Sequence, residues 1–258
     1  MAHKNYRYIY GPVFSWRLGV SLGIDPISQK DKICSFDCVY CQIGKTKKFS
    51  YQRKIYISEK ELLAEINSLP AIDIDYITFS GRGEPTLAKN LGKMIKAIRK
   101  TRKEKIAVIT NSSLLSQKDV AQDLLAVDFV LAKLDAYDQQ SLQKINRPLP
   151  AINFQKIVQG VKQFRSVYSK KLALQIMFTK DNIKHADKIA QLAREINPHE
   201  IQLNTPLRRC PAQPLSKKEL KGITKYFSGF NTISVYDINK EEVKPISKKN
   251  TLTRRGKA

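Results

Sequence analysis

The sequence is poor in histidine and lacks long apolar runs. None of its three histidines, His3, His185 and His199, lies at the spacing of a metal-ligand pair, so a histidine-based zinc site is disfavoured. No apolar run approaches the roughly 20 residues that a membrane-spanning helix needs, and even the run at 124–134 contains charged residues. We therefore expect a soluble protein that does not cross a membrane.

A signal region, internal repeats and low-complexity linkers are also missing. The first residues, Met-Ala-His-Lys-Asn-Tyr, are not apolar, so we expect no secreted disulfide framework and predict a cytoplasmic location. At 258 residues the chain can bury a sizeable core. We predict a single domain at 1–243, with a core at about 20–206 and an extension at 207–243. The segment 244–258 carries basic residues and no acid after position 243, and we expect it to be a mobile tail.

Acidic side chains are half as frequent as basic ones. The chain has 46 Lys and Arg against 23 Asp and Glu, which gives a formal net charge of +23. An excess of this size attracts phosphate backbones, because binding releases their counterions. RNA is therefore the partner that we predict, and a basic surface that is merely solvated is the simpler alternative.

Three of the four cysteines lie within eight residues, in the segment Cys34-Ser-Phe-Asp-Cys38-Val-Tyr-Cys41. A structural zinc ion takes four protein ligands, and this segment supplies three. A [4Fe-4S] cube takes thiolates at its iron corners, so three cysteines would leave one iron open to another ligand. We therefore predict that Cys34, Cys38 and Cys41 bind a [4Fe-4S] cluster. A zinc site completed by Cys210, or a chance group of thiols, is the alternative.

The C-x3-C-x2-C spacing, with Tyr40 before the last cysteine, resembles that of the radical S-adenosylmethionine (radical SAM) superfamily. The resemblance implies that SAM binds the open iron and that Tyr40 lies at the SAM site. It also implies that one electron from the cluster cleaves SAM to methionine and a 5′-deoxyadenosyl radical, which abstracts a hydrogen atom from substrate. A protein such as flavodoxin or ferredoxin would supply the electron.

A glycine-rich turn, Ser-Gly-Arg-Gly-Glu-Pro, follows the predicted strand at 76–80. Glycines let a backbone approach a ligand closely, and a carboxylate beside them suits an ammonium group. The turn resembles the glycine-glycine-glutamate element of the superfamily, which implies that Gly81, Gly83 and Glu84 hold the amino group of SAM. Arg82, inside this turn, either binds an anionic group of the substrate or points outward as surface charge.

Helical and strand patterns alternate from residue 58 onward. The alternation is typical of βαβ units and a parallel sheet. About six units predict an α/β fold, an open (β/α)6 barrel of the partial TIM type, preceded by an extended N-terminal arm; the family resemblance implies the same barrel. The predicted strands are 76–80, 106–110, 129–134, 172–178, 200–203 and 232–236.

Polar residues stand at the predicted carboxyl ends of these strands, where βα barrels gather their chemistry. Thr110 and Asn111 offer groups for ribose hydroxyls, although a helix cap would use the same residues. By resemblance, Asp135, Gln175 and Asn204 contribute further contacts to SAM or substrate, with local pairing inside the barrel as the alternative.

A narrower resemblance rests on Gly11-Pro-Val-Phe-Ser-Trp-Arg-Leu-Gly-Val-Ser-Leu-Gly-Ile-Asp25, which is similar to the opening of the small wyosine-synthetase-like branch. Asn146-Arg147-Pro148 matches a tripeptide common in that branch, which implies that Arg147 faces the active site. The branch implies a tRNA guanosine as substrate. Its full tRNA-modifying enzymes carry additional N-terminal cysteines for a second cluster, whereas no cysteine precedes Cys34 here. Two-cluster condensation is therefore not expected.

The sequence thus predicts a radical SAM enzyme that modifies a base in RNA, with tRNA as the expected substrate. One alternative is a radical SAM activase or maturase that acts on a protein or a small metabolite. Another is a basic RNA-binding protein with a structural or regulatory cluster. Cys210 is either an additional participant or a spectator thiol.

Overall fold

The computed structural model describes residues 6–238 and 241–256. Its ten strands are β1 (Ile9–Ser15), β2 (Gly19–Ile24), β3 (Ile33–Cys34), β4 (Lys48–Phe49), β5 (Tyr76–Phe79), β6 (Lys105–Thr110), β7 (Phe129–Lys133), β8 (Lys171–Met177), β9 (Glu200–Asn204) and β10 (Thr232–Ser234). Its eight α-helices are α1 (Glu59–Asn67), α2 (Leu91–Thr101), α3 (Lys118–Leu124), α4 (Gln139–Ile145), α5 (Phe154–Val167), α6 (Ala186–Ile196), α7 (Lys217–Ile223) and α8 (Lys248–Arg255). These counts refer to the described residues.

Eight of the strands form one sheet in the order β1-β2-β5-β6-β7-β8-β9-β10. Neighbouring strands from β2 to β10 are parallel, and β1 joins the edge as an antiparallel partner of β2. Because β1 and β10 occupy opposite ends of the order, the sheet is a curled, open partial barrel. The predicted α/β barrel is confirmed.

Amphipathic helices cover the outer face of the sheet. In α2 the residues Leu91, Met94, Ile95 and Ile98 are fully buried, three to four positions apart, while the lysines lie on the other side. Strands such as β7 are buried along nearly their whole length, as expected for a parallel sheet enclosed between helices and barrel interior. This packing fixes the carboxyl ends of β5 to β9 on one rim.

The sheet extends beyond the predicted core at both ends. The expected N-terminal arm contains β1 and β2, and β2 continues the parallel sheet next to β5. The expected extension at 207–243 supplies β10, which pairs with β9. β2 joins the parallel sheet through hydrogen bonds to β5, a strand far from it in sequence.

The basic segment at 244–258, which we expect to be a mobile tail, contains regular structure where it is described. Residues 248–255 form α8, which packs against β1. Ile246 N donates to Gly11 O at 2.7 Å, and Gly11 N donates to Thr251 Oγ1 at 3.0 Å. Thus most of the expected mobile tail has a defined place, while positions 257–258 lie outside the described residues. Within the described ranges, every helix is too short or too polar to span a bilayer.

Candidate active site

The cysteine segment lies across the carboxyl rim of the sheet. Cys34 ends β3, and the preceding residue, Ile33, bridges to Gly83 after β5. Farther along the loop, Asp37 N donates to Asn146 O at 3.0 Å and Val39 N to Ile145 O at 3.0 Å. The loop is therefore attached on one side to the glycine turn and on the other to the end of α4.

Each of the three sulfurs has its own nitrogen donor. Asn111 Nδ2 lies 3.6 Å from Cys34 Sγ. Asn146 Nδ2 lies 3.4 Å from Cys38 Sγ. Lys32 Nζ lies 3.1 Å from Cys41 Sγ. Hydrogen bonds to the sulfurs are among the main controls on the properties of an iron–sulfur cluster, so this donor set fits the predicted cube.

Burial shapes the proton affinities of these groups. Burial, assisted by the nearby Glu84, raises the pKa of Cys34 to about 12, and burial raises the pKa of Cys38 to about 11. Burial by itself would lower the pKa of Lys32, which is 5% exposed, but Cys41 and Cys34 outweigh it and raise the pKa. Iron binding must therefore displace thiol protons, and Lys32 remains available as a charged donor.

The spacing of the possible ligand side chains also distinguishes a site for an iron–sulfur cube from a site for a single metal ion. Within residues 6–238 and 241–256, no three His, Cys, Asp or Glu side chains converge closely enough to hold one metal ion. In a cube each thiolate binds its own iron corner.

The glycine turn is a place of close backbone approach. A Cβ on Gly83 would overlap the carbonyl oxygen of Ile33, and a Cβ on Gly81 would lie 2.6 Å from Asp25 Cγ. Gly81 also has a φ of +116°, which favours glycine. These glycines therefore bring β3 and Asp25 against the turn, in addition to lining the pocket beside the cysteines.

Glu84 is 2% exposed and accepts four hydrogen bonds. Its Oε1 accepts from Thr86 N at 3.1 Å, Thr86 Oγ1 at 2.7 Å and Thr110 Oγ1 at 2.7 Å, and its Oε2 accepts from Asn111 N at 2.7 Å. Burial raises the pKa of Glu84, whereas these hydrogen bonds lower it. The Thr110 hydroxyl, which the sequence offered for a ribose hydroxyl, thus donates a hydrogen bond that holds the Glu84 carboxylate in place.

Most of the predicted site residues surround one cavity of about 170 Å³, the inner pocket. Besides Lys32 and Lys133, its walls include Cys34, Cys38, Tyr40, Cys41, Gly81, Gly83, Glu84, Thr110 and Asn111. The structure therefore brings together the cysteine motif, the glycine turn and the end of β6, which are far apart in sequence.

Asp135 lies behind this pocket and is absent from its lining. Its Oδ1 accepts from Met177 N at 2.7 Å, and its Oδ2 accepts from Asn146 Nδ2 at 2.9 Å and from the Tyr40 hydroxyl. Lys133 Nζ lies 3.5 Å from Oδ1 and 4.9 Å from the centre of the Tyr40 ring. Asp135 thus positions Tyr40 and ties the cysteine loop to β8.

Gln175 and Asn204 line a second cavity of about 290 Å³ that adjoins the inner pocket. With its amide oxygen turned toward Arg17, Gln175 accepts from Arg17 Nη2 at 2.9 Å. Asn204 Oδ1 accepts from Thr205 N at 2.9 Å. Both residues therefore line the second cavity rather than the inner pocket, and Cys41 is the one cysteine that borders both spaces.

Two side chains that contact the cysteines, Asn146 and Lys32, were not identified from sequence as site residues. Arg147 is exposed, and its neighbour Asn146 instead contacts the cysteine loop. Lys32 could have been found from its position, because it is a cation only two residues before Cys34. Arg82 donates through its backbone N to Asp25 Oδ2 at 3.3 Å, and its Nε is buried without a partner among the described residues.

Cys210 packs against the same apolar cluster as Cys38, around Tyr40 and Met177. Its Sγ lies 3.5 Å from Ala212 O, and burial raises the pKa of the thiol.

Comparison with known proteins agrees with this geometry. A family model described as the radical SAM superfamily matches residues 32–193, more than half of the chain. A UPF0026 protein of Synechocystis sp. is 40% identical over 215 residues, which cover 83% of this chain and 79% of that protein. The GTPase Obg of Brachyspira hyodysenteriae is 36% identical over 257 residues, 95% of this chain but 38% of that protein. The chain belongs to the radical SAM superfamily and, within it, to the UPF0026 proteins.

Solved structures show the same fold at low sequence identity. SuiB of Streptococcus suis, bound to its precursor peptide SuiA, has a TM-score of 0.66 and 14% identity over 84% of this chain, which spans 50% of SuiB. Archaeal TYW1 has a TM-score of 0.60 and 14% identity, covering 87% of this chain and 78% of that protein. The superfamily uses a [4Fe-4S] cluster and SAM, so the protein is a radical SAM enzyme.

Proposed function

We propose that this radical SAM enzyme abstracts a hydrogen atom from a nucleotide of RNA, with tRNA as the substrate. The observation that carries the proposal is the inner pocket, in which three thiols with separate nitrogen donors face the buried Glu84. When bound, the cluster and SAM supply the 5′-deoxyadenosyl radical that this chemistry requires.

Each part of the pocket has a role in this proposal. Cys34, Cys38 and Cys41 would each bind one iron of the [4Fe-4S] cluster. Glu84 would accept a hydrogen bond from the SAM ammonium group, and among the described residues its Oε2 has one donor, Asn111 N at 2.7 Å. Tyr40, whose hydroxyl donates to Asp135, forms a wall of the pocket.

The RNA part of the proposal rests on charge and on the narrower sequence resemblance. A formal charge of +23 favours a polyanion, because binding releases counterions from the phosphate backbone. The Gly11-to-Asp25 segment resembles the wyosine-synthetase-like branch, which implies a tRNA guanosine.

The test is anaerobic. Iron and sulfide are loaded, dithionite and SAM are added, and 5′-deoxyadenosine is quantified with and without bulk tRNA. We expect formation in the wild type, loss in Cys38→Ala and retention in the matched variant Cys210→Ala. Added tRNA should increase the yield at low salt and have little effect at high salt.

The outcomes separate the alternatives. A fully loaded protein that yields no 5′-deoxyadenosine, with or without tRNA, would favour a basic RNA-binding protein with a structural or regulatory cluster. Production that does not respond to tRNA would contradict the RNA substrate and favour a protein or a small metabolite.

A further inference from the structure

The second cavity is lined by cations. Its walls include no aspartate or glutamate among the described residues, and they present five basic side chains, Arg17, Lys133, Arg208, Arg254 and Arg255. Two of these cations form ion pairs, Lys133 with Asp135 at 3.5 Å and Arg254 with Asp25 at 3.2 Å. The other three are Arg17, Arg208 and Arg255.

Within residues 6–238 and 241–256, Arg17, Arg208 and Arg255 have no carboxylate within ion-pair distance. The neutral partner of Arg17 is Gln175. Arg208 Nη1 donates to Gln42 Oε1 at 3.2 Å and to the carbonyl oxygen of Arg255 at 3.2 Å. Side-chain amides and a carbonyl thus orient the guanidinium groups of Arg17 and Arg208 without neutralising them.

An adjoining outer cavity of about 440 Å³ contains acidic residues as well. Glu241 and Glu242 stand on its wall and are exposed, but neither forms an ion pair with the three arginines. The local excess of positive charge therefore persists at the second cavity.

The three guanidinium groups repel one another. Burial, then the charges of Arg255 and Arg208, lowers the pKa of Arg17 to about 9. Burial and Arg255 lower the pKa of Arg208 to about 10, and burial lowers the pKa of Arg255. An anion placed between them would remove this repulsion, and guanidinium forks match the oxygens of a phosphate group well.

We propose that Arg17, Arg208 and Arg255 form a binding site for a phosphate group of the substrate. The inference rests on the proposed function, because it identifies the phosphate as part of the nucleotide that reacts in the neighbouring pocket. Tyr40, Cys41 and Gly81 line both cavities, so a molecule anchored at the arginines extends directly to the inner pocket.

The single tryptophan of the chain provides the measurement. Trp16 lines the adjoining outer cavity, and Arg17 lies 4.7 Å from the centre of its ring. Tryptophan fluorescence of the cluster-loaded, full-length protein is titrated anaerobically with pyrophosphate. We expect a saturable change in emission.

Two variants and a matched control define the site. Arg208→Gln and Arg255→Gln should each weaken pyrophosphate binding by at least about tenfold, the loss expected for a hydrogen bond to a charged group. Arg209→Gln removes a charge from the exposed neighbour of Arg208 and should bind like the wild type. Equal affinity in Arg208→Gln and Arg209→Gln, or no saturable binding in the wild type, would overturn the proposal.

Competition distinguishes the sources of phosphate. Labelled pyrophosphate is displaced in equilibrium dialysis by guanosine monophosphate or by tRNA. If both competitors displace pyrophosphate from the wild type but not from Arg208→Gln, the arginines form a phosphate site. The competitor that displaces it at the lower concentration identifies the source of the phosphate. Normal 5′-deoxyadenosine formation without arginine-dependent binding contradicts this inference alone, whereas normal binding without SAM cleavage contradicts the proposed function alone.

Discussion

The inner pocket and the second cavity share a wall but differ in how their charges are satisfied. In and behind the inner pocket, the buried carboxylates Glu84 and Asp135 each accept several protein hydrogen bonds. In the second cavity, Arg17, Arg208 and Arg255 lack acidic partners among the described residues.

The difference indicates how each region works. A network of buried, hydrogen-bonded carboxylates fixes side chains before a ligand arrives, which suits a cofactor site that must be preorganised. Cations that repel one another favour binding of an anion that is not always present. Substitutions in the inner pocket should therefore affect structure and cofactor, and those in the second cavity should affect substrate.

Gly83→Ala should have the largest effect, because it disrupts the backbone of the preorganised inner pocket. The new Cβ would overlap the Ile33 carbonyl oxygen, a backbone atom that cannot rotate away. We expect a loss of roughly 3 kcal/mol of unfolding free energy, at the upper end for overpacking, and reduced iron content after loading. Thermal unfolding and iron analysis provide the measurements.

Gly222→Ala is the matched control for this change. It lies in α7, and its added Cβ would meet nothing within 4 Å. Alanine also favours a helix over glycine, so stability should be equal or slightly higher. Equal stability and iron content in Gly83→Ala would show that the close approach to β3 is not required.

Glu84→Gln tests the carboxylate separately from the backbone. The amide removes the negative charge and places an NH2 group among the donors Thr110 and Asn111. We expect the dissociation constant of SAM to rise about 10- to 100-fold, as for loss of a hydrogen bond to a charged group. Equilibrium dialysis with labelled SAM measures it on the cluster-loaded protein.

The exposed Glu195→Gln serves as the control and should bind SAM normally. Pyrophosphate affinity should be unchanged in both variants, since the arginines lie in the other cavity. An unchanged SAM affinity in Glu84→Gln would remove Glu84 from the cofactor site.

Lys32→Met should have the smallest effect. It removes the ammonium 3.1 Å from Cys41 Sγ, and reduction of a cluster becomes less favourable when a nearby positive charge is lost. If this contact contributes about 1.4 kcal/mol, the midpoint potential becomes about 60 mV more negative for one electron. A redox titration followed by electron paramagnetic resonance measures the shift.

Lys45→Met, an exposed change on the same loop, should leave the potential unchanged. An equal shift in both variants would assign the effect to overall charge rather than to the hydrogen bond.

The sequence predicted the barrel and most of the inner pocket because their signals are local. The three cysteines lie within one short segment, and the glycine turn directly follows the strand that positions it. The capping box at α1 is equally local, since Ser58 and Glu61 stand three residues apart. Thr110 and Asn111 were found from their place at a strand end, although Thr110 supports Glu84 through a contact that sequence does not specify.

Other features depended on the partners that folding supplies. The pairing of β1 with β2 could not be predicted from the sequence of β1 alone. The basic composition at 248–255 likewise gave no indication that α8 packs against β1. Asp135 ends its strand as expected, but its hydrogen bonds turn it toward Tyr40 and Asn146 rather than into the cavity.

The sequence by itself determined which chemistry is possible, since thiols, glycines and a carboxylate at short, regular spacing define their ligands locally. Only the tertiary structure decided where the positive charge is concentrated. Arg17 follows β1, Arg208 follows β9 and Arg255 ends α8, and their convergence results from strand order and the docking of α8. Net charge is a sum over residues, whereas a binding site requires that particular charges face the same space.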